Sequence, residues 1–133
     1  MVNTVQDTFK HLLSTEKFGE IILVAWAYVE YMIDQFMLKQ LNVGMEDATA
    51  REFISKITFN VKWEYLKGCD IFTDVEKEKI TFFQKKRNKL FHNALFNDQD
   101  YYSTSGRKTL ITTASNAFYT VYEVFERRYI KHG

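Results

Sequence analysis

No proline occurs in the 133 residues of this chain, where an average usage of about 5% predicts roughly six or seven. Proline marks turns and breaks helices, because it has no backbone N–H and its ring collides with the turn before it. A chain without it can run long helices joined by short links, and the apolar residues follow that reading. Phe18, Ile22, Ala25, Val29, Ile33 and Phe36 recur at spacings of three and four, with Ile21, Tyr28 and Met32 widening the stripe. The spacing predicts a helix over 16–41. Asn42-Val43-Gly44 ends it, with Gly44 expected in the left-handed cap conformation.

The remaining elements follow from the same signals. A short opening helix is expected over 3–13, with Asn3 as cap and Gln6 placed as in a capping box. Asp47 is the expected cap of the next helix, whose inward residues would include Phe53, Ile54, Ile57, Val61 and Tyr65. The β-preferring Thr58-Phe59-Asn60-Val61 bends or splits that helix, and Gly68 stops it. Thr73-Asp74-Val75-Glu76 reads as a capping box, with its acids at the positive end of the dipole of a helix over 73–96. The polar stretch 97–106 reads as the longest loop. Leu110, Ala114, Ala117, Val121, Val124 and Phe125 then mark a last helix over 107–131. The sum is a single all-α domain over 1–133, an antiparallel bundle of four to five helices.

Charge and cysteine content narrow the class. Eighteen Lys and Arg stand against 17 acids, a net charge of +1, which argues against coating nucleic acid by bulk charge but permits a local basic site. The lone Cys69 allows no internal disulfide and fits a reducing cytosol, where it reads as a partly buried small hydrophobe. The run Ile21 to Val29 is bracketed by Glu20 and Glu30, far short of the roughly 20 residues that cross a membrane. The first residues lack the basic start and apolar stretch of a signal peptide. A soluble, cytoplasmic protein is therefore expected, with no membrane association. One Cys and three scattered His offer no zinc spacing, and there is no Gly-rich phosphate loop. No metal and no cofactor are expected.

One position breaks the apolar pattern. On a helix over 73–96, at about 100° per residue, Ile80, Phe83, Leu90, Phe91, Ala94 and Leu95 form a stripe with Arg87 near its middle. A buried guanidinium without a partner costs several kcal/mol or more. His92 follows five residues later, about 140° away, whereas Asn88 and His92 lie four apart on one edge together with Lys85. An imidazole can take a proton from a ribose 2′-hydroxyl, which then attacks the adjacent phosphate, while a guanidinium neutralises the charge gathering there. A cation, an amide and an imidazole around one groove suit metal-independent RNA cleavage. One imidazole is not readily base and acid in the same step, so a homodimer bringing two copies together would complete the site.

Arg87-Asn88-x-x-x-His92 resembles the R-x4-6-H signature of the HEPN superfamily, in the variant with a polar residue directly after the arginine. The helix Ala25-Trp26-Ala27-Tyr28-Val29-Glu30-Tyr31-Met32-Ile33 is similar to the early HEPN helix in which an acid lies among apolar residues. The resemblance implies an all-helical bundle and a metal-independent endoribonuclease of the kind used as toxins or in defence against phage. It implies catalytic roles for Arg87 and His92, support from Asn88, and a composite site across a homodimer. Glu30, or Asp34 one turn on, would pair with Arg87. A toxin would bring a cognate antitoxin as partner, beside the RNA substrate, whose phosphates Lys85, Lys86 and Lys89 would hold.

Other readings stay open. Arg87 can be a structural ion pair with Glu30 or Asp34, and lysine runs on helices are usually solvated faces. The fold can serve as a non-catalytic module that binds a protein or nucleotide partner, or as an unrelated dimerisation domain. Trp26 and Trp63 read as core residues, and Tyr101 and Tyr102 as the better candidates for stacking on a base.

Overall fold

A computed structural model of the chain describes residues 4–91 and 104–130, and every regular element among them is helical. In chain order they are α1 (Val5–Thr15), α2 (Phe18–Leu41), α3 (Asp47–Ser55), α4 (Phe59–Gly68), α5 (Asp74–Phe91) and α6 (Thr104–Val124), whose end continues as the wider π-helical turns of Phe125–Ile130. The number exceeds four or five because the helix expected after Asp47 is two helices.

Thr58 explains the division. The backbone N–H of Lys56 turns back to Phe53 and Ile54, and Thr58 is extended, with its hydroxyl accepting from the Val61 N–H at 3.4 Å. A new N-cap resets the helical phase, so the inward face of α4 differs from the one a continuous helix would present. Ala50, Ile54, Lys62, Trp63 and Leu66 are buried, whereas Phe53, Val61 and Tyr65 are exposed. Only Ile54 of the five expected inward residues reaches the core.

The caps hold further corrections. α1 is capped by Thr4, not Asn3: its hydroxyl accepts from the Asp7 N–H, and the Asp7 carboxylate accepts from the Thr4 N–H. Glu16 is left-handed, with φ 57°, and delays α2 to Phe18. No described glycine has positive φ, so Gly44 does not act as a left-handed cap; Asn42 ends α2 in a right-handed turn, and the left-handed residue after α4 is Asp70. Glu46, not Asp47, occupies the cap position of α3, and the Asp47 carboxylate accepts from Asn42 and Arg51. The box at Thr73 and Glu76 forms as expected, with both reciprocal hydrogen bonds present.

α2 packs against every other helix. It is long and apolar enough as a whole to cross a membrane by length and composition, but its apolar residues are largely buried against its neighbours. All nine residues of its expected stripe are in the core, as are the six expected from α6 and the π-helical turns. Aromatic rings tie these helices together. Phe9 of α1 stacks on Phe118 of α6 at 3.9 Å between centroids, and Phe118 meets Tyr28 of α2 at 5.5 Å. α5 lies against both long helices, with Ile80 and Phe83 fully buried. Its start is gripped by Arg128, which donates to the Ile71 carbonyl at 2.7 Å and pairs with Glu76.

Candidate functional site

Where α2, the beginning of α4 and the second half of α5 meet, the surface opens into a groove of about 310 Å³. That is near the lower end of the range for ligand-binding clefts, roughly 300–1,000 Å³. Helical spacing places each wall. Trp26 and Glu30 stand one turn apart on α2, and Gln84, Arg87 and Asn88 share one face of α5. Thr58, Phe59 and Asn60 come from the cap and first turn of α4, so the break that divides α3 from α4 also builds this wall.

Arg87 is half-buried. Its guanidinium carbon lies 5.6 Å from the centroid of the Trp26 ring, and Nη1 donates to Asn88 Oδ1 at 3.1 Å. Attraction between a guanidinium and an indole face contributes about 0.5–2 kcal/mol, more as water is excluded. The long side chain thus carries its charge from a stripe position to the groove wall, where it keeps access to solvent. Behind it Trp26 is 5% exposed, and Phe59 packs on its ring in an edge arrangement with centroids 4.5 Å apart. The indole Nε1 is buried with no hydrogen-bond partner among the described residues, a desolvation cost that the packing of both rings must offset.

The described site residues divide into three groups. Glu30, Arg87 and Asn88 line one groove. Asp34 does not join them: its carboxylate accepts from Lys62 Nζ at 2.6 Å, and it lines a separate depression with Tyr31 and Arg51. The physical reason is Lys62, whose side chain is only 11% exposed and reaches Asp34 from α4. Lys85 is exposed, and Lys86 Nζ sits 5.9 Å from the Phe82 ring centroid. Neither these two nor Lys89 lines the groove. His92, with Tyr101 and Tyr102, lies outside the described residues.

Sequence reasoning missed Trp26, Gln84, Thr58, Phe59 and Asn60 as groove residues. Gln84 was within reach, being three residues before Arg87 and four before Asn88 on the same helix face. The sequence places Trp26 in the core, which is correct for its burial but omits its second side. Asn60 carried no local signal, because its place follows from how α4 docks.

Asn60 and Gln84 are joined across the groove wall, Gln84 Nε2 donating to Asn60 Oδ1 at 2.6 Å. The site therefore combines a cation, a carboxylate, three carboxamides and two aromatic rings. Such a set can neutralise a phosphate, hydrogen-bond a neutral polar edge and pack against a flat ring. Among the described residues, no three His, Cys, Asp or Glu side chains are grouped to hold a metal ion. Comparison with family models, with curated proteins and with solved structures finds no match to this chain.

Proposed function

We propose that this chain is a metal-independent endoribonuclease of HEPN type, a toxin or phage-defence component, with Arg87, Asn88 and His92 at its site. What carries the reading is the position of Arg87: its guanidinium rests on Trp26 and against Asn88 in a groove, not inside the helical core. The all-helical architecture of the described residues and the resemblance of Arg87-Asn88-x-x-x-His92 to the family signature support it. The His92 imidazole takes the proton of a ribose 2′-hydroxyl. The 2′-oxygen forms a bond to phosphorus as the bond from phosphorus to the 5′-oxygen breaks, and an imidazolium of a second copy protonates the leaving oxygen. Arg87 neutralises the charge on the phosphoryl oxygens during this exchange. The products are a 2′,3′-cyclic phosphate and a 5′-hydroxyl.

The test is incubation of total RNA with the protein in EDTA. Wild type should cleave, leaving cyclic phosphate ends. Arg87→Ala and His92→Ala should each lose about 10²-fold or more while keeping their helical circular dichroism. Wild-type rates in both variants would sink the assignment. A non-catalytic module that binds a protein partner is favoured by one feature, the exposed Glu30 carboxylate in the groove, which repels phosphate. Under that reading no cleavage occurs in wild type.

A further inference from the structure

Asn60 and Gln84 sit in the Arg87 groove with no part in the chemistry above. They belong to different helices, 24 residues apart, and meet through the 2.6 Å hydrogen bond from Gln84 Nε2 to Asn60 Oδ1. That bond uses one donor and one acceptor. The Asn60 NH₂ group and Gln84 Oε1 have no other hydrogen-bond partner among the described residues, so a linked donor and acceptor remain for a ligand. Fixing each amide by the other lowers the rotamer entropy lost on binding. Phe59, the residue before Asn60, adds a half-buried ring to the same wall.

This chemistry is wrong for a phosphate. Carboxamides carry no charge, and the anion's natural partner in the groove is Arg87. It suits a flat, neutral heterocycle whose edge places a donor beside an acceptor and whose face can lie on a ring. In single-stranded RNA such a heterocycle is a nucleobase, attached one sugar away from the phosphate. Adenine (an amino group beside N7 or N1) and cytosine (an amino group beside N3) both offer an amino donor next to a ring-nitrogen acceptor, and of the two the larger purine face covers more of the Phe59 ring, which favours adenine.

We propose that Asn60 and Gln84, with Phe59 beside them, form a base-reading subsite for an unpaired adenine next to the phosphate held by Arg87. The inference rests on the ribonuclease reading for its substrate class, and binding tests it separately from cleavage. The probes are short uridine oligoribonucleotides carrying one central A, C, G or U, titrated against the His92→Ala protein. The adenine probe should bind about tenfold more tightly than the others, the discrimination expected of one bidentate amide contact. Asn60→Ala or Gln84→Ala in that background should bring all four probes within about twofold of one another, with circular dichroism unchanged. Equal binding of the four probes to the His92→Ala protein overturns the subsite. So does an adenine preference that survives both amide substitutions, or a preference for another base. Wild-type cleavage of the same probes decides the other claim: cleavage without base preference removes the subsite and leaves the ribonuclease. Adenine-selective binding that depends on both amides, without cleavage, does the reverse.

Discussion

Tyr28 and Trp26 are two residues apart on α2, and the two regions they enter are opposites. Tyr28 is surrounded by Phe118, Tyr122 and Phe125, with ring centroids between 5.5 and 6.1 Å away. Among the described residues Trp26 meets one ring, that of Phe59, and one cation, that of Arg87. Two steps along a helix are about 200°, so these residues face opposite sides of one rod. On the Tyr28 side apolar area supplies the stability and packing leaves little space. On the Trp26 side polar groups hold the walls apart around roughly 310 Å³. The contrast teaches that a single central helix can anchor a dry core and a wet groove at once, provided its two faces meet neighbours of different chemistry.

The costliest substitution lies on the dry side. Phe118 is fully buried and stacked on Phe9, so Phe118→Ala should cost about 3–5 kcal/mol in urea unfolding. A loss below 1 kcal/mol would mean that the ring is not the centre of the core. Next comes the ion pair outside the groove. Asp34→Ala strands the nearly buried Lys62 ammonium and should cost roughly 1–3 kcal/mol, while RNA cleavage stays at the wild-type rate. Loss of cleavage with unchanged stability would move Asp34 into the site and blur the division between core and groove.

Arg87→Ala should be milder on the same axis. It removes a contact with an indole face at a partly solvated position, about 0.5–2 kcal/mol. A cost well above that would make Arg87 a structural residue first. The smallest effect is one of pH. Burial, together with the nearby Tyr122 and Glu126, pushes the Tyr28 phenol well above its ordinary value. The folded state therefore favours the neutral phenol. Its contribution is complete below pH ~10 and is lost as the pH rises above that value, where the unfolded chain ionises first. Urea midpoints should fall between about pH 9 and pH 11, and fall less in Tyr28→Phe. Equal falls in both proteins would place the alkaline sensitivity elsewhere.

Legibility in the sequence followed the same line. The core faces of α2 and α6 were readable because their apolar period runs unbroken, so each residue's direction follows from its neighbours. In the α3–α4 region the break at Thr58–Val61 was readable from its β-preferring residues, but the inward face after it was not, since the cap at Thr58 restarts the count and turns Val61 and Tyr65 outward. In the groove, Arg87 and Asn88 stood out because a cation on an apolar stripe demands an outlet, and Glu30 shares their groove as an acid among apolar residues. Asp34 could not be assigned from α2 alone, because Lys62 of α4 claims it. Asn60 and Gln84 become a pair only through docking, which no local pattern encodes.

Arg128 has a consequence in time as well as in space. Its partners, Glu76 and the Ile71 carbonyl, lie 52 and 57 residues earlier in the chain, and its neighbour Tyr129 donates to Gln35 across 94 residues. Individual helices form quickly from local bonds, but contacts this distant wait on slow loop closure. The start of the helix that bears Arg87 is capped locally by Thr73 and Glu76, but its tie to the rest of the bundle through Arg128 forms only after residue 128 has been added. During synthesis the Arg87 motif is therefore made before the residue that clasps the beginning of its helix to the bundle.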